Sequence, residues 1–180
     1  VLPRVQHVIP YHVLSAGACW AAVDGASPIL VEAGDVIAFP RGDAHVLSSR
    51  PGMPATPHLE IYTPPPGARF PIMHRVGGRG PEQTHLVCGF LGCDVRPFNP
   101  LIAILPRVLH VSDREHDVSR GWLAQLVRAA HDEARQGRAG GESVLARLSE
   151  LMFIDIVPRH VDSLPEHETG WLAGLRDEFA

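Results

Sequence analysis

Short apolar runs separated by turn residues fill the first 111 residues, and apolar residues at helical spacing follow them. The first pattern is typical of β-sandwiches and barrels. Residues 64–82 are rich in proline and glycine and predict a loop, whereas the apolar segments 101–106 and 108–111 are predicted to be connectors. The strands expected from the pattern cover residues 11–14, 19–23, 28–31, 36–39, 45–48, 58–63 and 85–91.

Residues 15–18 suit a tight hairpin turn between the first two strands. If the turn is centred on its two middle residues, Leu14 pairs with Cys19 and His12 pairs with Ala21. Strand alternation then places these four side chains on one face of the sheet. The hairpin therefore predicts that His12 and Cys19 are diagonal neighbours.

Two helices are predicted in the second part of the chain. The first covers about residues 119–136, and the second begins after Gly140 and Gly141 and is ended or kinked by Pro158. The expected fold is mainly β, with a double-stranded β-barrel over residues 1–111 and a C-terminal pair of α-helices over 112–160. The helical segment is expected to pack on the barrel, and residues 161–180 to begin a linker. The apolar stripes of the helices consist of Leu123, Leu126, Val127, Ala130 and Ala134, and of Val144, Leu145, Leu148, Leu151 and Met152.

Composition narrows the possible function classes. The 180 residues are 45% hydrophobic and 20% charged, with a net charge of −4, which is typical of a water-soluble domain. No cluster of Lys and Arg forms a phosphate-binding surface, and no apolar run approaches the ~20 residues of a membrane helix. We therefore expect a cytoplasmic protein that contacts no membrane. The three cysteines are too few and too irregular for a disulfide framework and are interpreted as thiols.

The stretch from Gly34 to His45 combines a strand with a turn at each end. Gly34 and Asp35 open the strand, Pro40 and Gly42 close it, and His45 begins the next strand. This spacing resembles the second conserved motif of the cupin superfamily. The resemblance implies a small double-stranded β-barrel of the kind that often holds a metal or a small ligand.

Further segments extend the resemblance along nearly the whole chain. They are Tyr-His-Val-Leu-Ser-Ala-Gly-Ala-Cys-Trp at 11–20, Leu-Val-Cys-Gly-Phe at 86–90, Leu-Pro-Arg-Val-Leu-His-Val at 105–111 and Trp-Leu-Ala-Gly-Leu-Arg-Asp at 171–177. Together with the Gly34–His45 motif they resemble the N-terminal cupin sensor domain of AraC-type transcription regulators. The resemblance implies a small-molecule, metal or oxidant effector and a homodimer formed through the helical segment. It also implies that DNA is bound only by a C-terminal domain that this chain does not contain.

Enzymatic cupins hold a catalytic metal with two histidines and a glutamate of the first motif and the histidine of the second. Aligned with that pattern, the first-motif positions here are Arg4, Gln6 and Pro10, and only His45 remains. No nucleophile elbow and no paired carboxylates are present either. We therefore expect no catalytic residue and no enzyme. A small metal-dependent cupin enzyme, a dioxygenase or an isomerase, is the alternative.

Four thiol and imidazole side chains are expected inside the barrel, namely His12, Cys19, His45 and Cys88. Two thiolates and two imidazoles form the tetrahedral set that zinc prefers, so zinc is the expected metal. The same thiols could sense oxidants. In the alternative interpretation, the cysteines are small core residues and the histidines are hydrogen-bonded core residues. A barrel that is only a dimerisation scaffold is also left open.

Cys93 and His85 are the next candidate donors, but both lie at odd spacings from Cys88. Cys93, which follows Gly92, is therefore expected to face away from the barrel interior or to lie in a turn, and His85 is expected to face away. The pattern assigns no residues to an organic ligand.

Overall fold

The computed structural model describes residues 6–54, 81, 83–94, 102, 105–112, 120–136 and 138–164. Within these residues seven strands in antiparallel sheets precede two helices, so the predicted mainly-β fold with two C-terminal helices is confirmed. The strands are β1 (His7–Ala16), β2 (Ala18–Val23), β3 (Ile29–Glu32), β4 (Val36–Ala38), β5 (His45–Ser48), β6 (His85–Cys93) and β7 (Leu109–Val111). The helices are α1 (Arg120–Gln136) and α2 (Gly141–Ser163).

The strands form two antiparallel sheets. The large sheet has the order β6-β1-β4-β7, and the small sheet has the order β3-β2-β5. A first core lies between the two sheets, and a second core lies between the large sheet and the helices. The first core contains Leu14, Cys19, Ala21, Val23, Val31, Ile37 and Phe39, and the second includes Ile9, Tyr11, Val13, Leu109, Met152 and Ile156.

The predicted hairpin between β1 and β2 is wrong. β1 pairs with β4 and β6, whereas β2 pairs with β3 and β5. Gly17, at φ 77°, turns the chain from one sheet into the other, a conformation that glycine adopts without steric cost. A Cβ at Gly17 would lie 2.5 Å from the carbonyl oxygen of Gln83, which packs against this corner. Leu14 and Cys19 still share one core, because their strands face each other.

Asp35 connects the start of β4 to β7. Its buried carboxylate accepts hydrogen bonds from the amide of Glu32 (2.9 Å) and from Nε2 of His110 in β7 (3.0 Å). These bonds hold the pKa of Asp35 below its usual value, although desolvation by burial, the largest single effect, acts in the opposite direction. The carboxylate thus ties the turn before β4 to the neighbouring strand.

Two elements differ from the sequence prediction at their ends. β7 lies where a connector was predicted, and β6 runs on to Cys93. The last three residues of α2 lie beyond the predicted boundary at residue 160, because the helix passes through Pro158. An internal proline costs a helix ~3 kcal/mol. Packing of the buried Val157 and Val161 on either side of it offsets this cost.

The predicted stripe of α1 is buried at Leu126 and Ala130. Among the described residues, no helix has the length and hydrophobicity needed to cross a membrane. The strand predicted at 58–63, the linker from 165 onward and almost all of the loop predicted at 64–82 lie outside the described residues.

Candidate functional site

The pairing of β1 with β6 places His12 directly opposite Cys88. Both side chains point toward the small sheet, from which His45 at the start of β5 approaches. Cys19 lies on β2 in the core between the sheets, close enough to Cys88 to act on it electrostatically. The structure therefore brings His12, His45 and Cys88 into direct contact, with Cys19 beside them.

The three contacting residues form a chain of hydrogen bonds. Nδ1 of His45 lies 3.1 Å from the carbonyl oxygen of Asp43, and because a carbonyl only accepts, this nitrogen donates. Nε2 of a neutral His45 is then an acceptor, and it faces Nε2 of His12 at 2.7 Å. His12 therefore donates through Nε2 and accepts through Nδ1, which lies 2.8 Å from the sulfur of Cys88. The thiol donates to His12, His12 to His45, and His45 to the backbone.

An aromatic side chain holds the histidine pair in place. The ring of Phe39 stacks on that of His45 with centroids 3.8 Å apart and planes inclined by 9°. The same ring meets His12 edge to face at 6.0 Å. Phe39 is fully buried, so it fixes the orientation of both imidazoles and excludes water from one side of them.

The loop before β5 is held by an ion pair. The guanidinium of Arg107 donates to Oδ1 of Asp43 at 2.8 Å, and its other terminal nitrogen donates to the carbonyl oxygen of Asp24 at 2.8 Å. The hydrogen bond from Arg107 is the main cause of the lowered pKa of Asp43. Because the Asp43 carbonyl orients His45, Arg107 acts on the cluster through this loop.

The surroundings keep the cluster uncharged near neutral pH. Burial, followed by the neighbouring His45, lowers the pKa of His12 to about 3, and burial also lowers the pKa of His45. Burial raises the pKa of Cys19 to about 11. Cys88 differs because solvent reaches its side chain while protein atoms surround the thiol on most other sides. The accessible surface decides which reagents reach this thiol, and the surrounding protein raises its pKa.

The donor types suit zinc, but their present arrangement is not a metal shell. Among the residues described here, no group of three or more His, Cys, Asp or Glu side chains is placed to hold a metal ion. The reason lies in His12, whose two nitrogens point to Cys88 and to His45 from opposite edges of one ring. A single ion cannot lie at both edges.

Cys93 faces away from the cluster, as predicted from its spacing. Cys93 packs against the core between the large sheet and the helices, and His85 is exposed. The sequence pattern did not indicate the roles of Phe39, Asp43 and Arg107. Phe39 and Asp43 belong to the Gly34–His45 motif, which signals a strand and a turn but not a ring stack or a carbonyl acceptor.

Comparison with known proteins gave two matches. A family profile described as Cupin matches residues 2–162. A protein of Streptomyces lividans, named as a candidate AraC-like transcription regulator, is 25% identical over 173 residues, which are 94% of this chain and 54% of that protein. The chain thus spans about half the length of this curated relative. No solved structure matches the chain.

The lowered pKa of His12 predicts that acid destabilises the fold. Below pH 6.5 His12 becomes protonated in the unfolded chain, whereas in the folded chain it stays neutral down to about pH 3. The free energy of unfolding therefore decreases across this window as pH falls, by up to ~1.4 kcal/mol per pH unit. His12→Gln removes this contribution. Urea unfolding of both metal-free proteins from pH 7 to pH 4 should show the stability gap narrowing as pH falls. A gap that stays constant would contradict the neutral, buried state of His12.

Proposed function

Because the chain belongs to the cupin family, we propose that it is the effector-sensing and dimerisation domain of an AraC-type transcription regulator. The resemblance to an AraC-type cupin domain that the motifs indicate is confirmed by the two matches. DNA binding is placed in a C-terminal domain outside residues 1–180, and the greater length of the Streptomyces relative leaves room for one. A regulator of this type acts in the cytoplasm.

The observation that carries this proposal is the Cys88–His12–His45 chain inside the barrel. Its polar groups satisfy one another and end on a backbone carbonyl, without a charged group at neutral pH. A cupin metalloenzyme instead needs preorganised ligands around a metal with an open position for substrate. A cluster whose polar groups are bonded to one another, and that a ligand must rearrange, suits a sensor.

A thiophilic metal ion, zinc first, is the effector that the donor set favours. Metal ions need unprotonated imidazole and release the proton of a thiol on binding. The lowered pKa values of His12 and His45 keep both rings unprotonated at neutral pH. Binding to Cys19, Cys88, His12 and His45 would require His12 to give up at least one of its two hydrogen bonds. Occupation of the site would therefore change the contact between the two sheets.

An oxidant is the second candidate effector, because solvent reaches Cys88. A hydroperoxide would convert the thiol to sulfenic acid and be reduced to water or an alcohol. Thiolates, however, react far faster than thiols, and the raised pKa of Cys88 keeps the thiol neutral. Oxidation therefore ranks below metal binding.

A stripe on α2 supports dimerisation. Val144, Leu151 and Ile154 are 45%, 41% and 66% exposed, and their spacing places them on one outward side of the helix. The opposite side of the helix, with Met152 and Ile156, is buried against the large sheet. We infer that the stripe packs against the same stripe of a second copy.

Zinc binding tests the proposed effector. Isothermal titration of metal-free protein, with elemental analysis, should give about one zinc ion per chain, because four donors suffice for one tetrahedral site. His12→Gln and Cys88→Ser should each weaken binding at least about tenfold.

The matched control for this titration is Cys93→Ser, which changes a cysteine of the same strand on the opposite face. It should bind zinc like the unmodified chain. Absence of binding, or equal binding by all variants, would exclude the zinc site.

Sedimentation equilibrium tests the dimer surface. Ile154→Glu places a charge in the apolar stripe and should shift the chain toward monomer, with dimerisation weakened at least about tenfold because a buried unpaired charge is costly. Ala146→Glu adds the same charge at another exposed position of α2 and should leave the dimer intact. Equal effects of the two changes would rule out the stripe as the interface.

A further inference from the structure

Tyr11 and Gly89 form the next pair in the ladder after His12 and Cys88. Because side chains alternate along a strand, this pair lies on the other face of the large sheet. Tyr11 belongs to the core that the sheet shares with the helices. The candidate site and the helix contact are thus adjacent positions on the same two strands, separated only by the thickness of the sheet.

The hydroxyl of Tyr11 is hydrogen-bonded to Oγ of Ser149 in α2. Ser149 also donates its proton to the carbonyl oxygen of Leu145, at 2.7 Å. A serine hydroxyl has one proton, so Tyr11 must be the donor in the bond between them. Both side chains are buried. This bond is a defined polar contact between β1 and α2 within an apolar core.

The ring of Tyr11 lies directly on the backbone of β6. A Cβ at Gly89 would lie 2.6 Å from Cε1 of Tyr11 and closer still to its hydroxyl. Real Cβ atoms do not approach so closely, so only glycine allows this contact. Since Gly89 follows Cys88 in the chain, a shift of the backbone at Cys88 also moves the surface on which the Tyr11 ring rests.

We propose that Tyr11 couples the state of the Cys88–His12 pair to the packing of α2. A change at the pair displaces β6 against β1, moves the Tyr11 ring and alters its bond to Ser149. This inference rests on the proposed function in one respect, because the coupling has a regulatory role only where an effector acts at the cluster. It provides a physical route from that cluster to the helix that bears the proposed dimer stripe.

Covalent labelling of Cys88 tests the coupling without assuming an effector. Cys88 attacks the methylthio sulfur of methyl methanethiosulfonate, so that the S–S bond of the reagent breaks, a methyl disulfide forms on Cys88, methanesulfinate leaves and the thiol proton goes to solvent. The parent protein is the whole chain with Cys93→Ala, in which Cys88 is the accessible thiol and Cys19 is buried. Mass spectrometry establishes that the label is on Cys88. Hydrogen exchange of the α2 amides around Ser149 is then compared with and without the label.

The label should change exchange around Ser149 by about threefold or more in the parent. Tyr11→Phe and Ser149→Ala should each lose most of this response. Tyr11→Phe leaves the bond from Ser149 to Leu145 in place, so it creates no unpaired donor. Ser163→Ala removes another hydroxyl of α2, which donates to His160 away from this contact, and should keep the full response.

No response in the parent, or the same response in Tyr11→Phe and Ser149→Ala as in the parent, would overturn the coupling. If the reagent disturbs the fold, the substitution Cys88→Met places a larger side chain at the same position without a reagent. Hydrogen exchange around Ser149 is then compared between Cys88→Met and the parent. Zinc titration of the chain without substitutions is a separate measurement. A coupled response without zinc binding would refute only the proposed effector, whereas zinc binding without coupling would refute only the role of Tyr11.

Discussion

The register between β1 and β6 determines both faces of the large sheet. It sets His12 opposite Cys88 on the inner face and Tyr11 opposite Gly89 on the helix face. A shift by one residue would exchange the two faces and separate every one of these contacts. Burial of Ile9, Tyr11 and Val13 against the helices opposes such a shift. The chemistry of the barrel and the attachment of the helices therefore depend on the same ladder of backbone hydrogen bonds.

The buried cluster depends on the neutral forms of His12, His45 and Cys88 as well as on packing. Each of its three hydrogen bonds contributes a net ~1 kcal/mol to stability. A buried donor without an acceptor, or a buried charge, would cost more than one such bond contributes. Burial beside Phe39 favours the neutral form of His45, and the Asp43 carbonyl holds the ring proton of His45 on Nδ1. The polar groups of the cluster are therefore bonded to one another and to the backbone. A ligand that binds to their lone pairs must break some of these hydrogen bonds.

Strand alternation, combined with the resemblance to cupin ligand positions, predicted an interior position for His12 and His45, and alternation alone predicted that Cys93 turns away from Cys88. Cys19 was assigned to the same interior through a hairpin that does not form, and Cys88 was added as a candidate fourth donor. Sequence alone was not enough to predict strand pairing, because the corner at Gly17 resembles a hairpin turn in sequence, whereas β1 and β2 pair with different strands. β7 was missed because three residues give too little pattern, and Pro158 did not end α2 because tertiary packing outweighs local propensity. The two nitrogens of His12 face Cys88 and His45 because β1, β6 and β5 come together at this point. No spacing in the sequence predicts this arrangement.

The tautomers of the two histidines test the hydrogen-bond chain most directly. Long-range ¹H–¹⁵N correlation spectra of metal-free protein labelled with ¹⁵N-histidine report which ring nitrogen carries the proton. The structure predicts neutral rings at pH 7, with the proton of His45 on Nδ1 and that of His12 on Nε2. A doubly protonated ring, or the opposite tautomer at either residue, would contradict the arrangement on which the site rests.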